Sequence, residues 1–198
     1  MTLPNTSLIR KLTLFLAAVM LAVSAVAADF NQMQQLANQG IAEAQFNLGL
    51  IYDNGEGVRQ DYSKAAQWYE KAANQGIAEA QFNLGLKYND GEGVRQDYTK
   101  ARQWYEKAAN QGFAEAQFNL GLMYYNGKGV RQDYSKTAQW YEKAANQGYA
   151  SAQSNLGVMY YNGKGVRQNT ATAKEWFGKA CDNGNQNGCD GYRILNQR

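Results

Sequence analysis

The chain has 198 residues, with 20 Lys and Arg against 17 Asp and Glu, a formal charge of +3, two cysteines and no histidine. So even a balance gives no electrostatic footprint for nucleic acid. Without histidine the chain also lacks the commonest general base at neutral pH and the nitrogen ligand that completes many zinc sites, so neither metal nor cofactor is expected.

In chain order, the first segment has Arg10 and Lys11, then the apolar run "LTLFLAAVMLAVSAVA", then Ala25-Val26-Ala27. A basic start, an apolar stretch and small residues at its end mark a secretory signal peptide over 1–27, cut after Ala27. The competing reading is an uncleaved anchor, but the run is short for a membrane span. Cleavage predicts a mature chain of 28–198, periplasmic or secreted, with no membrane insertion and nearly neutral once Arg10 and Lys11 are gone.

Four units of 36 residues occupy 41–76, 77–112, 113–148 and 149–184, and residues 29–40 ahead of them match only the second half of a unit. The second unit differs from the first only at Lys87, Asn89, Asp90, Thr99 and Arg102, and the third only at Phe113, Met123, Tyr125, Lys128 and Thr137. A fixed period of this size predicts an all-α fold, a solenoid of antiparallel helix hairpins whose neighbours complete one another's cores.

Within a unit, "AEAQFNLGLIYDN" places Ala44, Leu48 and Tyr52 on one helical face, with Gly49 allowing close approach of a partner helix. The string "NGEGVRQ" at 54–60 returns as "DGEGVRQ" at 90–96 and as "NGKGVRQ" at 126–132 and 162–168, with Glu56 and Glu92 exchanged for Lys128 and Lys164. A phosphate-binding loop would not accept Glu where Lys stands, so Gly-x-Gly is a turn, with Val58 as a plug beneath it. Asp61, Asp97, Asp133 and Asn169 are placed to cap the second helix. That helix, "YSKAAQWYEKAANQG", carries Ala65, Trp68, Tyr69, Ala72 and Ala73 as its expected buried stripe.

Residues 185–198 resemble a first helix alone and should close the stack. Cys181 and Cys189, with seven residues between them, can join two antiparallel helices there, and the export signal places them in an oxidising compartment. We expect a disulfide worth roughly 2–3 kcal/mol.

The motifs Ala-x-Ala-Gln-x-x-Leu-Gly-x-x-Tyr, Gly-x-Gly-Val, Asp-x-x-Lys-Ala and Trp-Tyr-x-Lys-Ala-Ala recur in register. In these the chain resembles the Sel-one-like repeat, a relative of the tetratricopeptide repeat, over essentially all of 30–198. The resemblance implies a right-handed superhelix that binds another protein or an extended peptide on its concave side, in the bacterial envelope or at a host interface. An immunity-type protein directed at a toxin is an alternative. The cysteine pair is similar to that of exported cysteine-rich members, some of which are associated with slow β-lactam hydrolysis. No Ser-x-x-Lys pair occurs in 28–198 to support such chemistry, and no catalytic residue is expected.

By the same resemblance the first helix lines the groove, through Glu43, Glu79 and Glu115; Phe46, Phe82 and Phe118; Asn47, Asn83 and Asn119; Leu50, Leu86 and Leu122; and Tyr125 and Tyr161. Periodicity leaves the phenylalanines open between a groove wall and a seam between repeats. Lysine or arginine beside Asn47 and Asn83 would make a carboxylate grip, but Glu43 and Glu79 stand there, which favours a partner with apolar and basic residues. Arg59, Arg95, Arg131 and Arg167 are expected to pair with the aspartates of their own loops.

Overall fold

A computed structural model describes residues 30–197, so the expected signal peptide lies outside them. The described residues form ten helices and no strand. A short α1 at 30–38 precedes four hairpins: α2 (Ala42–Asn54) with α3 (Tyr62–Asn74), α4 (Ala78–Asp90) with α5 (Tyr98–Asn110), α6 (Ala114–Asn126) with α7 (Tyr134–Asn146), and α8 (Ala150–Asn162) with α9 (Thr170–Asp182). The last, α10 (Gln186–Asn196), packs on α9 and touches α8. From α2 onward each helix packs chiefly on the one before and the one after it, which is a solenoid.

The hairpins close where glycine permits. A Cβ at Gly49, Gly85 or Gly121 would stand 2.6 Å from the ring of Tyr69, Tyr105 or Tyr141, so the ring of the second helix lies flat against the first. Those tyrosines and Leu48, Leu84, Leu120 and Leu156 are almost wholly buried. Each leucine contributes about 2–3 kcal/mol of apolar burial. The second loop glycine sets the stacking distance: a Cβ on Gly93 would lie 2.2 Å from the backbone of Tyr62 in the preceding unit.

The second helices start where expected. Asp61, Asp97 and Asp133 each accept the backbone N–H of the lysine three residues on, and Asn169 accepts that of Thr172. This use of the carboxylates overturns the expected arginine pairs. Asp61 is held by the N–H of Lys64 at 3.0 Å with the Lys64 ammonium at 3.6 Å, and among the described residues no ion pair includes Arg59, Arg95, Arg131 or Arg167. The buried stripe also differs by one position. Ala66 is buried and Trp68 is half-buried, because the wide indole sits at the edge of the hairpin beneath Lys71, 3.7 Å from its ring.

One device of the stack is not legible in the periodicity. Buried Gln45, Gln81, Gln117 and Gln153 donate to the carbonyls of Ala37, Ala73, Ala109 and Ala145 near the end of the preceding helix. Each accepts in turn from the residue ending its own second helix: Gln75, Gln111, Gln147 or Asn183. A buried amide left unpaired would cost about 1–3 kcal/mol, so this ladder fixes register between units. At the C-terminal end Cys181 and Cys189 form the expected disulfide, tying α9 to α10.

Candidate functional site

The expected groove residues divide by environment. Glu43, Glu79 and Asn47 are exposed, and Glu115 is half-buried. Phe46, Phe82 and Phe118 are half-buried. Phe82 lies 5.8 Å from the Tyr105 ring and 5.1 Å from that of Phe113, and Phe118 lies 5.4 Å from Tyr141 and 5.1 Å from Tyr149. Each of these two rings therefore spans its own hairpin and the entry to the next, while Phe46 packs on Tyr69 at 6.0 Å. Asn83 and Asn119 turn their amides toward the hydroxyls of Tyr69 and Tyr105. Leu50, Leu86, Leu122, Tyr125 and Tyr161 are half-buried, whereas Val158 is 45% exposed.

Between the first helices of successive units the surface opens into recesses related by the repeat. One, of about 240 Å³, lies between α4 and α6, with Leu86, Asn89, Asp90, Asn119, Leu122 and Lys128 around it and Tyr105 at its floor. The other, of about 510 Å³, lies between α6 and α8 at the positions 36 residues on: Leu122, Tyr125, Asn126, Asn155, Val158 and Lys164, over Tyr141. Val158 replaces a leucine at the mouth of the larger one. Leu122 and Asn126 border both, so the two recesses adjoin along the stack.

In the larger recess the Lys164 ammonium donates to the Tyr125 hydroxyl at 3.0 Å and lies 4.3 and 4.0 Å from the Tyr125 and Tyr134 rings. The two phenols hold its pKa above the usual lysine value. Among the described residues no carboxylate pairs with it. Burial pushes the Tyr141 hydroxyl up to about 12, with the Asn155 amide pulling the other way.

Between α2 and α4 the same place is filled by charge. Lys87 stands where the later units have Met123 and Met159, with its side chain only 7% exposed. Its ammonium contacts Asp53, lies 2.8 Å from Glu92 and sits 4.4 Å from the Tyr62 ring. Burial works against the charge, but the bonds to Asp53 and Glu92 outweigh it and hold the Lys87 pKa above its ordinary value. Asp53 also accepts from the Tyr69 hydroxyl at 3.0 Å. Burial first, then the Asp53 charge, raise the Tyr69 pKa.

Sequence reasoning does not bring Asn155, Met159, Tyr141 and Lys164 together as parts of one site. The signal is present in the repeat, but Lys164 lies in a loop that reads as a turn, and Tyr141 in the buried stripe of a different helix. Ser154, which takes the place of the phenylalanines in the fourth unit, is buried and adds nothing to the opening. Among the described residues no group of His, Cys, Asp and Glu could hold a metal ion, and no helix is long and apolar enough to cross a membrane.

These features define a helical-repeat scaffold with its open face along the first helices. The chain matches the Sel1 repeat model at 42–77, 78–113, 114–149 and 150–185, and it belongs to the Sel1 repeat family. It is similar to a protective antigen of uropathogenic Escherichia coli strains that displays an SLR fold, at 42% identity and a TM-score of 0.79, over 81% of this chain and 34% of that one. It is also similar to a Sel1 repeat protein from Oxalobacter formigenes, at 34% identity and a TM-score of 0.75, over 82% of this chain and 65% of the other. Cysteine rich protein B of Helicobacter pylori matches at 33% identity and a TM-score of 0.54, over 66% of this chain and 94% of that one. The chain thus spans about a third of the length of the first and just under two thirds of the second. No curated protein matches it.

Proposed function

We propose that this protein is an exported binding scaffold that holds an extended segment of another protein against the face formed by α4, α6 and α8. The observation that supports the reading is the pair of adjoining recesses, walled by Leu86, Leu122 and Val158 and bordered by asparagine amides. An apolar wall in which a few polar groups converge is the usual form of a recognition site, and amides spaced along it suit a peptide backbone. Export, to the periplasm or out of the cell, is part of the proposal and is supported by Arg10, Lys11 and the apolar run after them.

The test is a photo-crosslinking amino acid at position 158, with the mature protein incubated in envelope extract and, separately, in extracellular material. A Leu122→Asp/Val158→Asp variant that keeps its helical circular dichroism is the control. The reading expects a discrete crosslinked protein that the variant loses. Crosslinks of equal yield with both proteins, or none in either extract, would overturn it.

A further inference from the structure

We infer that the bound segment is bipolar, with an acidic side chain beside an apolar one at the junction of the third and fourth units and a basic side chain toward the first. The inference rests on the binding face proposed above and adds the chemistry and orientation of its occupant. Three junctions present the same surface positions with different charge. Between α2 and α4, Asp53 and Glu92 surround one ammonium, Lys87, and leave an excess negative charge. Between α4 and α6 the recess holds Asp90 and Lys128, which balance. Between α6 and α8, Lys164 is the only charged residue of the recess, and its neighbours are neutral phenols. The face therefore runs from negative to positive along the stack.

At the positive end the surroundings specify more than a charge. Leu122, Val158 and Met159 are apolar and a short step from the Lys164 ammonium, so the group accepted there carries a carboxylate next to hydrocarbon. Lysine has three donor hydrogens, and the phenols of Tyr125 and Tyr134 take up at most two of them. The neighbouring recess lies just across Leu122 and Asn126, so the pair suits a chain that passes from one to the other rather than one that terminates. An acidic residue within an extended segment meets all three conditions. Charge arranged in this way fixes orientation more than it adds affinity.

The test uses the full mature chain and defined peptides of about 12 residues, long enough when extended to cross neighbouring junctions. One is bipolar, with two lysines, an alternating Leu-Ala centre and two glutamates. A second has the same composition with the charges interleaved, and a third has lysines at both ends. Binding is read by fluorescence anisotropy at low and high salt. The bipolar peptide is expected to bind at least tenfold more tightly than either of the others, with the margin shrinking as salt rises. Lys164→Glu is expected to invert the order, favouring the all-lysine peptide, and Lys164→Gln to erase it. If Lys164→Glu fails to fold, Lys164→Gln carries the same decision.

Equal affinity for the bipolar and interleaved peptides would overturn the inference while leaving the binding face standing. So would a Lys164→Glu variant that weakens all three peptides by one common factor. If no peptide binds at about 1 mM, the binding face and the inference fall together.

Discussion

The junctions between the first and second units and between the third and fourth are built on nearly the same sequence, yet one is plugged by charge and the other stands open. In the first, Lys87 fills the space and is neutralised by Asp53 and Glu92. In the last, methionine takes the lysine's place, tyrosine the aspartate's and lysine the glutamate's, and a recess of about 510 Å³ remains. The helices, caps, glycines and glutamine ladder are common to both. A repeat protein can thus keep one scaffold and write its specificity in the few positions that face its neighbours across each junction.

The largest effect should come from breaking the plug. Asp53→Ala leaves the Lys87 ammonium almost wholly buried with Glu92 as its one remaining carboxylate, and deprives the Tyr69 hydroxyl of its acceptor. Removing one partner of a buried pair costs about 3 kcal/mol. Urea unfolding should show a loss near that size, against less than about 1 kcal/mol for Asn89→Ala at the equivalent position of the next unit. Equal losses would mean that the charge cluster contributes no more than its uncharged counterpart.

The second effect falls at the other end of the stack. Among the described residues the C-terminal half has no buried ion pair, and its last helix leaves Ile194 and Tyr192 exposed, but it has the Cys181–Cys189 link. Closing so short a loop is worth about 2 kcal/mol. Cys181→Ser/Cys189→Ser should lower the unfolding midpoint accordingly. Hydrogen exchange should rise first in α10 and leave α2 to α5 unchanged, because a solenoid transmits stability mainly between nearest neighbours. Uniform exchange along the chain would contradict this.

The contrast between the two junctions also separates what the sequence displays from what it conceals. Helix limits, caps and the glycine approach to Tyr69 are legible because each follows from local chemistry repeated four times. The recess is legible only in part: Leu122 and Tyr125 fall in the expected groove, but the floor residue Tyr141 and the ammonium of Lys164 come from a different helix and a loop, and helical period does not say which faces meet. Lys87 misleads for another reason: a lysine in a helix reads as solvated until Asp53 and Glu92 are seen on either side of it. Periodicity leaves the phenylalanines open between groove and seam, and in the fold Phe82 and Phe118 contact both their own hairpin and the entry to the next.

A smaller effect is alkaline. Tyr141 has a pKa of about 12 in the folded protein against about 10 unfolded, so the protonated form favours the native state. That contribution is complete below pH 10 and is lost as pH climbs from there toward 12. The Tyr69 and Tyr105 values are raised as well, chiefly by burial, so the same losses add. Stability measured in urea should fall steadily above pH 10. Tyr141→Phe should flatten part of that slope, and an unchanged slope would count against the burial of this hydroxyl.

The smallest change in stability should accompany the most informative exchange, Asp53→Tyr/Lys87→Met/Glu92→Lys, which writes the last junction into the first. Replacing a buried ion pair by apolar groups of similar volume is often neutral, unlike removing one member alone. The variant should therefore stay within about 1 kcal/mol of the parent, although Asp53→Ala alone is costly. Its new lysine stands at the position of Lys164, and its new tyrosine at that of Tyr125, with the Tyr69 ring already in place as floor. A recess should open there, and an acidic peptide that binds the parent once should find a second site, read as a doubled stoichiometry in calorimetry. Retained stability with unchanged stoichiometry would show that Val158, the smaller residue at the mouth of the last recess, matters more than charge. Adding Leu86→Val to the exchange would then open the first junction.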